Sequence, residues 1–140
     1  MSTVLWANLL VDGKVECQSE DHFALCKHAE KLDSISKSLK LPSFLEICDT
    51  TDVRFNAEEF DLPEGVTSTN EVKATEGVWL PLAEAIVMLE TLLLYITDNQ
   101  VRFGILKNLH SHVVEELERV LSFARAGSSR AQKFNFCIVS

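Results

Sequence analysis

The sequence predicts an α+β fold: a small antiparallel or mixed sheet joins both chain termini and packs against a long antiparallel helix pair and an N-terminal helix. Strand-like patterns at both ends of the chain and helical spacing through its second half predict this arrangement. The 140 residues fit one domain, 1–140, and 46% of them are hydrophobic, which is enough for a core without disulfides or a structural metal.

The two ends of the chain carry the strand patterns. Apolar residues alternate with others along 5–11, which is the period of a strand with one buried face. Asp12-Gly13 then supplies the two positive-φ positions of a tight hairpin turn, and 14–17 can return beside the first strand. At the other end, residues 134–139 form an apolar stretch that predicts a closing strand.

A helix is expected after the hairpin. Ser19 is a plausible N-cap, and the acidic residues that follow it favour the positive end of the helix dipole. One apolar stripe recurs at helical spacing, formed by Leu25, His28, Leu32, Ile35 and Leu39. Pro42 ends the helix near Lys40, and Ser43 with Glu46 has the spacing of a capping box that opens a short second helix.

The second half of the chain predicts two long helices, over 81–97 and 102–126, joined by a short break at 98–100. Pro81 fits the first position of the first of them. The second is expected to turn a set of apolar residues inward: Leu106, Leu109, Val113, Leu117, Val120 and Ala124. The window 78–97 is long enough to cross a bilayer, but Glu84 and Glu90 favour a buried helix and no membrane span.

Charge is concentrated in one loop-rich segment, 46–76. It holds nine acidic and two basic residues, against 12 acidic and 11 basic residues in the rest of a chain of net charge −8. Nucleic-acid binding is disfavoured, because a phosphate backbone requires a basic stripe. The same field favours a basic protein partner. The partner-binding residues predicted are Asp49, Asp52, Glu58, Glu59, Asp61 and Glu64.

The first functional hypothesis is therefore a non-enzymatic interaction module. A small acidic domain with a terminal strand and without a catalytic motif is similar in general character to many uncharacterised bacterial proteins, immunity proteins among them, and no motif names a family. The concentration of charge in 46–76 predicts a basic partner bound through that segment, in the manner of an immunity or inhibitor protein. No catalytic residue, metal ligand or cofactor is assigned, since the chain lacks the phosphate-loop, dinucleotide-binding, nucleophile-elbow and zinc-protease patterns.

The second hypothesis is a small enzyme or a metal- or small-ligand-binding protein. Its site would lie near Asp49 and Asp52, completed by a histidine that the fold brings to them. His112 and Glu116 are four residues apart and could share an ion, but without a third ligand they are more typical of a solvated helix face.

Four cysteines stand at wide intervals, and no export signal precedes them, so we expect reduced thiols in a cytoplasmic protein. The last four residues, Cys137-Ile138-Val139-Ser140, match the pattern of a prenylation signal, which is a further alternative. The alternation of Phe134, Phe136 and Ile138 favours a buried terminal strand instead.

Overall fold

The computed structural model describes residues 3–57, 62 and 64–140. Its strands are β1 Val4–Val11, β2 Lys14–Cys17, β3 Cys48–Asp49, β4 Leu80–Pro81 and β5 Lys133–Val139. Its helices are α1 Phe23–Lys27, α2 Ala29–Ser38, α3 Thr51–Ala57, α4 Thr69–Glu76, α5 Leu82–Asp98 and α6 His110–Ala126, with a 3-10 turn at Leu45–Ile47.

Strand β5 lies at the centre of the sheet, whose order is β2-β1-β5-β3. β1 runs antiparallel to both β2 and β5, and Leu5 pairs with Ile138 in this register. On the other edge of β5, β3 pairs in parallel and β4 pairs antiparallel at Phe134. The predicted sheet that joins both ends of the chain, and the Asp12-Gly13 hairpin turn, are confirmed.

One face of the sheet carries the main hydrophobic core. Leu5, Ala7 and Leu9 of β1 are buried there beside Phe134 and Phe136 of β5, and helices α5 and α6 pack over them. The rings of Phe134 and Phe136 meet edge to face at a centroid distance of 5.1 Å, a geometry that aromatic pairs prefer. The period-two pattern of β1 therefore identified the apolar face correctly, but the opposite face is covered as well, since Asn8 is also fully buried.

The N-terminal helix begins later than the sequence predicted. Ser19 has a φ of +60° and does not cap it; the helix starts at Phe23 and is interrupted at His28 into α1 and α2. Its first amides are satisfied from another helix instead. The carboxylate of Glu116 in α6 accepts the backbone N–H groups of Ala24 at 3.2 Å and Leu25 at 3.0 Å. A tertiary contact thus replaces the local cap.

The start of the last helix was also predicted wrongly. α6 begins at His110, not at residue 102, because the chain between the helices adopts positive φ at Gln100 (49°) and Gly104 (107°). The Asn108 side-chain oxygen accepts the amides of Phe103 at 2.9 Å and of His110 at 3.1 Å, which stabilises a loop. Leu106, predicted to face inward, is fully exposed.

We predict that Leu117→Ala lowers the free energy of unfolding by about 2–5 kcal/mol, because that fully buried side chain leaves a cavity between α6 and the core. On α5, Leu92 is fully buried whereas Leu93 is only partly buried. Leu92→Ala should therefore cost more than Leu93→Ala. Urea melts of the three variants check this, and an equal loss at positions 92 and 93 would contradict the orientation of α5.

Candidate functional site

The acidic segment lies over the second face of the sheet. Trp6 and Asn8 of β1 and Cys137 of β5 point to this face, opposite the core residues between which they alternate. Helix α3 packs against β5 and helix α4 against β2, so the described parts of the segment form a thin second layer that contains two helices. Its local structure was underestimated from the sequence, because each helix is short and takes its stability from the sheet beneath it.

Asp49 does not present its carboxylate to solvent. It is buried in β3, where one side-chain oxygen accepts the amide of Thr51 at 2.9 Å and the other accepts the amide of Val78 at 3.0 Å. Gly77 makes this approach possible, since a Cβ at that position would lie 2.8 Å from the carboxylate. Asp49 thereby ties β3 to the chain that leads into β4.

Asp52 is engaged with a lysine of the same segment. Its carboxylate lies 2.6 Å from the Lys73 Nζ, and it also accepts a hydrogen bond from the Thr69 hydroxyl. The Lys73 side chain is 1% exposed and that of Asp52 is 18% exposed. Asn70 provides a second acceptor for the ammonium at 3.2 Å. Burial alone would lower the pKa of Lys73, but the hydrogen bond and charge of Asp52, together with the neighbouring Cys137 and Cys17, outweigh burial and the pKa is raised.

A cavity of about 210 Å³ lies between the sheet and these two helices. The residues that line it are Trp6, Cys17, Asp52, Ser68, Thr69, Asn70, Lys73, Cys137 and Val139. Burial raises the pKa of both thiols, which therefore remain protonated and weakly nucleophilic. Cys17 lies on β2 and Cys137 on β5, with β1 between them. Two strand spacings separate β2 from β5 by about 9 Å, which is too far for a disulfide between the two cysteines.

Several carboxylates of the segment do face solvent. Glu46, Glu64, Glu71 and Glu76 are exposed, as is the basic side chain of Arg54. The predicted partner-binding residues Glu58, Glu59 and Asp61 lie outside the described residues. Among the described acidic residues of the segment, Asp49 and Asp52 are engaged inside the fold, whereas Glu46, Glu64, Glu71 and Glu76 are exposed.

The histidines lie away from this face. His22 follows β2, His28 separates α1 from α2, and His110 and His112 belong to α6, so none lines the cavity beside Asp52. The expected solvated His112–Glu116 pair is wrong, since Glu116 is buried against α1 and its pKa is raised by that burial. Over residues 3–57, 62 and 64–140, no three histidine, cysteine or acidic side chains are grouped to hold a metal ion.

Cys137 is buried in the middle of the sheet, where its strand pairs with β1 on one side and β3 on the other. This confirms the terminal-strand prediction; a prenyl group could reach the thiol only if β5 left the sheet. No helix in the described part of the chain is long and apolar enough to cross a membrane.

Sequence reasoning missed the structural importance of Lys73. From the sequence, Lys73 counted only as one of two positive charges in the segment, because nothing in the local spacing links it to Asp52, 21 positions earlier. The only sequence hint was Asn70, three residues before it on the same helix.

The fold and this face define an α+β domain with a charged second layer over its sheet. Comparison with known proteins adds no relative: the chain matches no family model, no curated protein and no solved structure at a significant level.

We predict that Asp52→Leu destabilises the protein by about 3–5 kcal/mol, because it leaves the Lys73 ammonium buried without its counter-charge. The double variant Asp52→Leu with Lys73→Met should recover much of this loss, since it removes both charges.

The stabilisation of the fold by the Lys73–Asp52 ion pair should depend on pH. Because the pKa of Lys73 is raised on folding, this stabilisation is fully present below the ordinary lysine value of 10.5 and is lost as the pH rises through the raised value.

Urea melts of the single and double variants measure these effects, with Glu64→Ala as the control, an exposed carboxylate of the same segment expected to cost under about 0.5 kcal/mol. A double variant less stable than the single would show that the ion pair is not what the fold requires.

The four free thiols should react with a thiol reagent in two groups. Cys17 and Cys26 are partly exposed and should react first, whereas Cys48 and Cys137 are buried and should react only after unfolding. Burial raises the pKa of Cys48 to about 12, which further suppresses its thiolate. Mass mapping of the labelled positions under native conditions checks this order, and early labelling of Cys137 would contradict the central place of β5.

Proposed function

We propose that this protein is a non-enzymatic interaction module that binds a basic protein partner, in the manner of an immunity or inhibitor protein. Its acidic surface consists of the exposed carboxylates of Glu46, Glu64, Glu71 and Glu76, to which Glu58, Glu59 and Asp61 add charge in sequence. The observation that supports the proposal is this set of exposed carboxylates, against which Arg54 is the one exposed basic side chain among the described residues of the segment. Lys73 and Asp52 are withdrawn from the surface together, so this neutral pair leaves the net charge of the surface unchanged.

The second layer offers a pre-organised platform for a partner. The Trp79 indole N–H donates to the last-turn carbonyl of Lys73 at 2.8 Å, and the Glu71 carboxylate accepts the amide of Thr67 at 2.8 Å, so both ends of α4 are held. A rigid surface loses less conformational entropy on binding than a mobile loop. Concentrated negative charge then accelerates encounter with a basic surface.

Such a partner would meet this protein in the cytoplasm, which is the compartment we propose for it. All four cysteines are free thiols, the state expected in a reducing environment.

A second candidate function is the binding of a small polar molecule in the cavity beneath α4. The supporting observation is the cavity itself, which brings the Lys73–Asp52 pair, an amide and two thiols around about 210 Å³. The charges of the ion pair already satisfy each other, so the geometry favours this function less than the first.

The test of the first function is a capture experiment with the source cell lysate and three forms of the protein. The first form is native, and the second carries Glu46, Glu64 and Glu76 as Gln, while Glu71 stays unchanged because its carboxylate holds the start of α4. The third is a control of equal net charge, with the exposed residues Glu20, Glu30 and Glu118 as Gln. Asp49 and Asp52 stay unchanged because their replacement would unfold the second layer.

We expect the native and control forms to capture the same basic protein and the second form to lose it. With the purified partner, the association rate should fall about tenfold or more in the second form and in high salt. Equal capture by all three forms would contradict the proposal. So would the absence of any partner together with a small molecule that raises the melting temperature of native protein but not of a Lys73→Met variant.

A further inference from the structure

The loop between α5 and α6 displays two large aliphatic side chains side by side. Ile105 is 92% exposed and Leu106 is 100% exposed, so neither side chain packs against the rest of the protein. Single exposed aliphatic residues are common on protein surfaces, whereas an adjacent pair at almost full exposure forms a small contiguous apolar patch. We call residues 102–107 the apolar knuckle.

The knuckle is held in a fixed conformation by its own backbone. The Arg102 guanidinium donates to the carbonyls of Gly104 at 2.8 Å and Ile105 at 2.7 Å. Beneath it, Phe103 is completely buried and its carbonyl accepts the Leu109 amide at 2.7 Å. Gly104 has a φ of +107°, and any side chain there would collide with the Lys107 carbonyl. The loop backbone thus directs the two aliphatic side chains away from the protein surface.

The surroundings of the knuckle are basic, in contrast to the rest of an acidic chain. No aspartate or glutamate occurs from Asn99 to Val114, a stretch that includes the exposed side chains of Arg102 and Lys107. From the neighbouring α2, Lys31 donates to the Arg102 carbonyl and lies 5.3 Å from the centre of the Phe103 ring. The exposed acidic residues Asp98, at the end of α5, and Glu30, in α2, offset this charge only in part.

We propose that the apolar knuckle docks reversibly on an anionic phospholipid surface. Ile105 and Leu106 would enter the boundary between headgroups and acyl chains, while Lys107 and its basic neighbours contact the phosphates. A convex apolar tip with a basic surround suits a bilayer, which deforms around it, whereas a protein partner would need a matching pocket. Two side chains and a few charges give weak, reversible attachment and no membrane span.

The acidic surface does not prevent this approach. The segment that carries it ends next to the start of α5, and the knuckle follows the end of that helix. That helix has 17 residues and is about 25 Å long. The Debye length at physiological ionic strength is about 8 Å, so carboxylates beside the far end of α5 are largely screened from the knuckle. The proposal is independent of the acidic-surface function, because it involves the opposite end of α5.

The experiment is co-sedimentation with vesicles of phosphatidylcholine alone and of phosphatidylcholine with phosphatidylserine. The test variant is Ile105→Ser with Leu106→Ser. The matched control is Val87→Ser with Leu94→Ser, which removes two exposed aliphatic side chains from the surface of α5, 58% and 61% exposed. Because all four side chains are exposed, every variant should melt at nearly the native temperature.

Native protein and control should sediment with the anionic vesicles, and the test variant should lose at least about tenfold in partitioning. Lys107→Glu should reduce binding to anionic vesicles without creating binding to neutral ones. The proposal is overturned if native protein ignores both kinds of vesicle, or if the test variant binds as well as the native form. It is equally overturned if sedimentation velocity without vesicles shows a dimer that the test variant abolishes, since the knuckle would then join two copies of this chain.

Discussion

The pairing of β1 with β5 is the constraint on which the rest of the structure depends. This pairing joins the N-terminal strand to the C-terminal strand. Buried side-chain amides connect the two strands as well, because the Asn8 side chain donates to the Asn135 side-chain oxygen at 3.0 Å, 127 positions away in sequence. Asn135 in turn donates to the Val78 carbonyl at 2.7 Å and fixes the approach to β4. Because β3 and β4 both pair with β5, the second layer and the helix hairpin acquire their positions from this strand.

The two faces of the sheet are stabilised by different physics. One face buries the apolar side chains of β1 and β5 under α5 and α6, where the hydrophobic effect dominates. The other face buries amides, thiols and the Lys73–Asp52 pair under two short helices, where each polar group must find its partner. Burial of the pair withdraws one positive and one negative charge together, so it leaves the net charge of the outer surface of that layer unchanged.

The two ends of α5 adjoin surfaces that differ in charge. The acidic surface precedes the helix and the apolar knuckle with its basic neighbours follows it, so one rigid element separates two surfaces of opposite character. In the two proposals, a basic partner binds at one end of the protein and an anionic surface at the other, and the two fields are screened from each other because each decays over about a Debye length.

The sequence by itself determined the fold class, the strands at both ends, the Asp12-Gly13 turn and the two C-terminal helices, because these follow from periodicity and turn chemistry that neighbouring residues supply. Tertiary structure decided the rest. Ser19 does not cap the first helix; Glu116, far along the chain, accepts the first amides of α1 instead. Leu106 has the sequence spacing of an inward-facing helical residue, but it lies outside the core because Gly104 and Asn108 form a loop there. Asp49 and Asp52 looked like members of one acidic surface, yet their partners, Val78 and Lys73, lie more than twenty positions away. Spacing reports which residues share a face of one element; it does not report which distant group will arrive to neutralise a charge or satisfy an amide.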